Sequence, residues 1–272
     1  MSAAFAPANS STAASAAAMP AAADLTAEKM EFFRTNGWVV IENLLSPATV
    51  AALNQRVDDL IEGQKFPERS KICVQWDKSL LPKLERGEIT KADAIRKVHN
   101  LFANDELFRA HIANPRILAV ANALIGPGLR FFGDQLFCKP AFHGGEKPWH
   151  QDHAYWPVDP QKMVSCWAAL DDATRANGCM RFIPGSHLGP ILEHKQIRDW
   201  QIDDGVIDES RAVFQELKAG SCLFHHSKTL HATSPNQSPN RRRGMVSIYL
   251  NAASRYVGKD AAAPAWPTLL PA

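Results

Sequence analysis

Between Trp149 and Pro157 the chain reads Trp-His-Gln-Asp-His-Ala-Tyr-Trp-Pro, with an imidazole at 150, a carboxylate at 152 and aromatic residues on both sides. On an extended strand alternate side chains share a face, so His150 and Asp152 can enter one cavity while Gln151 turns away. A His-x-Asp pair completed by one distant histidine is the ligand set of a 2-His-1-carboxylate facial triad. Such a triad holds Fe(II) on one face and leaves the other positions open for co-substrate and oxygen. His-x-Asp alone is a weak signal, because chance supplies it often. A third ligand has to be found on an element that folding can bring back to the pair.

The best placed is His231, in Leu230-His-Ala-Thr-Ser-Pro-Asn236. It lies 231 − 150 = 81 residues after the first histidine, beyond several strand-like runs. An antiparallel barrel needs such a separation to bring two distant strands to one metal. His225 and His226 are rivals on residue type. A lone histidine in a strand-rich region is more often a hydrogen-bonded core or surface residue than a ligand, so the residues themselves leave the choice open. Arg242 follows closely, and a guanidinium fork matches a carboxylate. The ordinary expectation for the run Arg241-Arg242-Arg243 is nevertheless a solvated loop.

The elements that must position these groups are legible in outline. Thr26 can cap a short helix ending near Asn36-Gly37, and Gly37 to Ile41 reads as a buried strand. Ser46-Pro47 starts a second helix, along which Val50, Leu53, Val57, Leu60 and Ile61 repeat at helical spacing up to Gly63. Two shorter helices are expected after Asn104 and after Asn114-Pro115, the latter ending at Gly126. Residues 64–95 have weak periodicity and read as a surface excursion. After Gly126 come short strand-like runs: Arg130 to Lys139, Met163 to Leu170, Cys179 to Ile183, Gly220 to Phe224 and Gly244 to Leu250. Helices followed by many short strands predict a mainly β fold, a sandwich or jelly roll buttressed by helices.

Composition narrows the function classes. With 272 residues, 46% apolar and 21% charged, the chain suits one sizeable globular domain. A formal charge of +2 gives no mandate for nucleic acid or a membrane surface, and three adjacent arginines are too few for a polyanion-binding stripe. No apolar run approaches the ~20 residues of a membrane helix. The five cysteines form no Cys-x-x-Cys pair, as expected of reduced thiols in a cytoplasmic protein. The Ala/Ser-rich start over 1–23 carries no charged side chain, which fits neither a signal peptide nor a presequence, and the chain ends in no peroxisomal tripeptide. It is expected to be a disordered tail.

Further motifs occur in a fixed order: Asn36-Gly-Trp-Val-Val-Ile-Glu-Asn-Leu-Leu45, Lys97-Val-His-Asn-Leu-Phe102, Lys139-Pro140 and Trp149 to Asp152, then Cys166-Trp-Ala-Ala-Leu-Asp-Asp172, Asn177-Gly-Cys-Met-Arg-Phe-Ile-Pro-Gly-Ser-His187, and His231 to Arg242. With them, from about Phe32 to Tyr256, the sequence resembles the phytanoyl-CoA dioxygenase family of Fe(II)/2-oxoglutarate oxygenases. The resemblance implies a double-stranded β-helix, a cupin-like jelly roll. Its core would span 127–256, with the helical part at 24–126 in a single domain over 24–272. It settles the third ligand on His231, five residues before Asn236 and eleven before Arg242, and leaves His225 and His226 beside the site.

Under the same resemblance the cofactor is Fe(II), the co-substrates are 2-oxoglutarate and O2, and Arg242 pairs with the far carboxylate of 2-oxoglutarate. Lys97, Gln135, Trp167 and Thr233 match further positions around the co-substrate. Gln135 stands where the phytanoyl-CoA enzyme has another side chain, and Trp167 serves equally well as core packing. Asn177-Gly178 and Pro184 to Ser186 are expected to shape turns. His153, Tyr155 and Trp156 are placed to line a substrate cavity, with Trp76 and residues 64–95 as lid elements.

The implied reaction hydroxylates an unactivated C–H of a small molecule (an acyl-CoA, an amino-acid-like metabolite or a natural product) and releases succinate and CO2. Related halogenases carry glycine or alanine at the carboxylate position, so Asp152 favours hydroxylation. Two alternatives are a non-catalytic jelly roll that binds a metal or ligand, and a jelly-roll isomerase or hydrolase using another divalent metal. No nucleic acid or membrane partner is expected, and the sequence sets no oligomeric state.

Overall fold

A computed structural model describes residues 22–63, 71–258 and 265–272. Apart from its last two residues, the expected tail over 1–23 lies outside them. The Thr26 hydroxyl accepts the Lys29 amide at 3.2 Å and starts α1 (Ala27–Asn36). Gly37 ends the helix at φ 93°, a conformation that strains any residue bearing a Cβ. β1 (Trp38–Ile41) follows. Ser46 caps α2 (Pro47–Glu62), which buries the five apolar residues of its helical stripe. Then come β2 (Cys73–Trp76), α3 (Leu81–Glu85), α4 (Lys91–Ala94), β3 (Ile95–His99), α5 (Leu101–Asn104), α6 (Glu106–Ile112) and α7 (Pro115–Ile125), the last capped by Asn114.

The remaining elements are β4 (Leu129–Lys139), β5 (Lys147–His150), β6 (Val158–Asp159), β7 (Met163–Ala169), β8 (Met180–Phe182), β9 (Lys195–Gln196) and β10 (Trp200–Gln201). They continue with β11 (Val213–Gln215), β12 (Cys222–His226), β13 (His231–Thr233), β14 (Arg242–Asn251), β15 (Arg255–Tyr256) and β16 (Thr268–Leu270). An eight-stranded sheet runs β1-β12-β7-β14-β4-β3-β2, with β16 also on β4, and faces a four-stranded sheet β11-β8-β13-β5. The pairings are antiparallel, and the architecture is the cupin-like jelly roll.

Alternation along the central strands builds two apolar layers. Val164, Cys166 and Ala168 of β7, with Met245 and Tyr249 of β14, join the core formed with α2, α6 and α7. Met163, Trp167 and Ala169, with Val246, Ile248 and Leu250, face the smaller sheet. The Tyr249 hydroxyl donates to the Ile112 carbonyl at 2.8 Å, tying α6 to the sheet.

The N-terminal third is less helical than expected, since β2 and β3, in addition to the expected strand β1, fall within 24–126 and join the larger sheet. Of the expected surface excursion over 64–95, residues 64–70 lie outside the described residues, and 71–95 are more than an excursion. In β2, Val74 and Trp76 pack against the core while Cys73 and Gln75, more exposed, take the opposite face, an alternation too short to stand out in a sequence. Trp76 is therefore a packing residue and not a lid.

Arg243 also departs from expectation. It is only 4% exposed, and its guanidinium meets both oxygens of Asp171 at 2.8 Å and Asp58 of α2 at 3.0 Å. Arg241 reaches Asp58 from outside at 3.0 Å. These pairs lock the start of β14 to α2. Removing Arg243 leaves two half-sheltered carboxylates without their main counter-charge. Arg243→Met should lower unfolding free energy by about 2–4 kcal/mol in urea melts. A loss below about 1 kcal/mol would mean these pairs act as exposed ones do.

Candidate active site

β13 pairs with β5 in a register that sets His231 directly opposite His150. The His150 Nδ1 lies 2.8 Å from the Pro148 carbonyl, and the His231 Nδ1 lies 2.9 Å from the Thr229 carbonyl. A carbonyl only accepts, so each ring carries its proton on Nδ1 and turns an unprotonated Nε2 inward. Burial, with His231 alongside, holds the His150 imidazole well below the usual histidine range and keeps it neutral.

The strand ends at His150, earlier than the sequence suggests. Gln151 is still extended, at φ −120° and ψ 125°, and Asp152 opens a 3-10 turn, Asp152–Tyr155. Gln151 points away as expected. Its amide nitrogen donates to Pro190 and Lys228 carbonyls at 3.1 and 2.8 Å, and its amide oxygen accepts the Leu192 N–H at 2.8 Å. Asp152 Oδ1 turns inward, 3.7 Å from His150 Nε2 and 3.8 Å from His231 Nε2. One ligand atom from each of the three residues lies within 4.8 Å of the others. Such spacings are too long for hydrogen bonds and suit three donors around one ion. Two neutral nitrogens and a carboxylate oxygen on one side are a donor set that fits Fe(II).

These atoms stand at one wall of a cavity of about 390 Å³. Lys97, Gln135, Trp167, Thr233 and Arg242 all line it. Arg242 is 2% exposed and has no hydrogen bond or ion pair among the described residues, although Arg243 beside it has two acids. Its guanidinium lies 5.2 Å from the Trp167 ring centroid. Burial lowers its pKa to about 10, which leaves it charged at neutral pH. Trp167 reaches this position because residue 244 is glycine: a Cβ there would fall 2.1 Å from the indole. The Thr233 hydroxyl is buried without a hydrogen-bond partner among the described residues. The Lys97 ammonium sits 5.1 Å over the Phe137 ring, and desolvation lowers its pKa to about 8.

Of the residues expected toward substrate, Tyr155 and Trp156 line the cavity and His153 does not. Side chains three apart eclipse in a 3-10 turn, so Tyr155 follows Asp152 while His153 faces the other way. There its amide donates to the Ser227 carbonyl at 2.9 Å and its Nδ1 lies 3.4 Å from the Ser227 hydroxyl. The two rival histidines separate by strand alternation. His225 lines the cavity, and His226 turns away toward His187, the two rings tilted with centroids 5.6 Å apart.

No motif marked Arg96, Lys147, Gln75 or Asp77, yet all four line the cavity mouth. Lys147 donates to the Tyr155 hydroxyl at 3.0 Å and pairs with Asp199 at 2.9 Å, which Arg96 also meets at 3.0 Å. Ser165 was missed as well, although its hydroxyl donates to Asp152 Oδ2 at 3.0 Å. Its only signal was a polar residue in an otherwise apolar strand. Asn177 and Asn236 brace turns, the latter donating to the Lys139, Pro140 and Asn240 carbonyls.

Residues 33–244 match the family model described as phytanoyl-CoA dioxygenase (PhyH). A probable phytanoyl-CoA dioxygenase of Caenorhabditis elegans is 29% identical over 244 residues, covering 84% of this chain and 76% of that one. A probable alpha-ketoglutarate-dependent hypophosphite dioxygenase of Stutzerimonas stutzeri is 26% identical over 251 residues, covering 89% and 81%. Among solved structures, the non-heme alpha ketoglutarate dependent carbocyclase SnoK from nogalamycin biosynthesis superposes with a TM-score of 0.71 at 22% identity, covering 94% of this chain and 99% of that one. The last likeness bears on the fold alone. The family match spans well over half of the sequence, and the chain belongs to the phytanoyl-CoA dioxygenase family of Fe(II)- and 2-oxoglutarate-dependent dioxygenases.

Proposed function

We propose that this chain hydroxylates an unactivated C–H bond of a small molecule, with His150, Asp152 and His231 ligating Fe(II) and Arg242 holding 2-oxoglutarate. Succinate and CO2 would be the co-products. The observation that carries this reading is one cavity joining three convergent ligand atoms to a buried guanidinium without a counter-ion among the described residues. Fe(II) with 2-oxoglutarate and O2 supplies the oxidant when bound, and the chain supplies position, charge and exclusion of water.

A buried charge without a partner costs several kcal/mol, so Arg242 favours any dianion that delivers a carboxylate to it. The planar fork accepts that carboxylate in two parallel hydrogen bonds, and the Trp167 face holds the fork in place. The free Thr233 hydroxyl, the Gln135 amide and the Lys97 ammonium complete the polar lining. Met180, Val246 and Ile248 keep the inner end apolar. Tyr155 and Trp156 would bound the substrate, whose entrance is set by Arg96, Lys147 and Asp77. The volume lies within the range of small-molecule sites. Five free cysteines, four of them buried, support a reducing, cytoplasmic setting.

Asp152→Ala should abolish both Fe(II) binding and succinate formation from 2-oxoglutarate; normal turnover in that variant would remove the triad assignment. Arg242→Ala should raise the Kd for 2-oxoglutarate by about ten- to a hundredfold, from a lost charged hydrogen bond of roughly 1.5–3 kcal/mol. Metal affinity should stay unchanged, and an unaltered 2-oxoglutarate dependence would place the carboxylate partner elsewhere.

Lys97 gives a pH test. Its ammonium titrates near pH 8 because burial, Lys147 and Arg96 all disfavour the charge, with Asp199 and Asp152 opposing them. The charge is present below that pH and lost above it. The Kd for 2-oxoglutarate should therefore rise by up to about tenfold between pH 7 and pH 9. Lys97→Met should show the weaker affinity at both ends; a variant that keeps the wild-type profile would exclude Lys97 from the contact.

A further inference from the structure

The two oxygens of Asp152 face different surroundings. Oδ1 looks toward His150 and His231 Nε2, and Oδ2 looks toward the larger sheet. There the Ser165 hydroxyl donates to Oδ2 at 3.0 Å, and His225 Nε2 stands 3.9 Å from the same oxygen. Ser165 and His225 are direct cross-strand partners in the β7–β12 pair, so their side chains stand side by side on the cavity face. His225 is held in place, its ring 4.6 Å from His231 and 5.8 Å from Phe182, and it is 2% exposed. Its Nδ1 has no hydrogen-bond partner among the described residues.

Resting on the triad reading, we propose that His225 and Ser165 form a two-donor clamp on the outer oxygen of Asp152, making them positioning residues of the metal site. The clamp would hold the carboxylate as a one-oxygen ligand through Oδ1. An unrestrained carboxylate can swing to bind through both oxygens and take a neighbouring coordination position, or swing away. Both outcomes lose the open positions that a facial triad exists to provide. In the clamp His225 is neutral with its proton on Nε2, 3.9 Å from Oδ2, and a shift of under ~1 Å brings the pair to hydrogen-bond length. Ser165 supplies the second donor from the adjacent strand, so the carboxylate is gripped from two directions. β7 and β12 belong to the larger sheet, whereas His150 and His231 come from the smaller one. The clamp therefore fixes the third ligand against the opposite wall of the jelly roll.

The test is titration of the full chain with Co(II), an oxygen-stable stand-in for Fe(II), followed by visible absorption, alongside melting of the metal-free protein. His225→Phe keeps a packed ring and removes the donor. It should raise the Co(II) Kd by about ten- to a hundredfold and leave metal-free melting unchanged or higher, since no satisfied hydrogen bond is lost. His225→Gln restores a donor and should return the Kd to within about threefold of wild type. Ser165→Ala, a small change at a buried site, should weaken Co(II) binding several-fold and covers the case in which His225→Phe fails to fold. Wild-type Co(II) affinity in Ser165→Ala or in folded His225→Phe, or no recovery with His225→Gln, overturns the clamp. Asp152→Ala separates this from the reading beneath it. If Asp152→Ala binds Co(II) as wild type does, the ligand assignment falls. If it loses binding while His225→Phe keeps it, only the clamp falls.

Discussion

The antiparallel pairing of β13 with β5 places His231 opposite His150, and the rest of the site depends on that register. Strand side chains alternate, so a slip of one residue would send one imidazole to the other face. Two features oppose a slip. β13 is held on its other edge by β8, where His231 faces Phe182 and Thr233 faces Met180. Each histidine also fixes its own ring through the carbonyl two residues before it in sequence, Pro148 or Thr229. The pairing that brings the strands together also sets the rotation of the rings that would bind metal.

The same alternation sorts the arginines at the start of β14. Arg243 points to α2 and Asp171, and its charge is matched within the protein. Arg242, one residue earlier, points to the cavity and its charge is unmatched among the described residues. In a low-dielectric interior the difference is large: the first arginine stabilises the fold, and the second is a cost that only an anion offsets. Gly244 completes the arrangement by admitting the Trp167 indole against the strand, beneath the guanidinium. Three consecutive residues of one strand thus leave one charge open to the cavity, anchor the strand to α2 and shape the wall.

Much of this was legible in the sequence where the signal is local or ordered. Thr26, Ser46 and Asn114 announced helix starts through capping chemistry, and Gly37, Gly63 and Gly126 announced stops. His150, Asp152, His231 and Arg242 were legible as an ordered motif set, and all four line one cavity. What escaped were features set by tertiary pairing. β2 and β3 are short, and their registers are set by pairing, β2 on β3 and β3 on β4, rather than by local sequence. His153 was misplaced because a 3-10 turn, not a continued strand, follows His150. Arg243 looked solvated because nothing local tells that Asp58 and Asp171 converge on it.

The cavity divides the chemistry from its target. Its inner wall comes from β4, β5, β7, β12, β13 and β14, whose registers are fixed by the two sheets. The outer rim comes from β2, Arg96 of β3, Lys147, Tyr155 and Trp156, where Asp199 bridges Arg96 and Lys147. The Tyr155 hydroxyl donates to the Trp200 carbonyl at 2.6 Å and the Ile202 amide to the Trp149 carbonyl at 2.9 Å, so the short β9–β10 hairpin is tied to the mouth without joining either main sheet. Such a rim can change in sequence without disturbing the register that holds the triad and Arg242. Motifs that identify the reaction therefore say little about the substrate, since Tyr155, Trp156, Arg96 and Lys147 at the rim lie outside them.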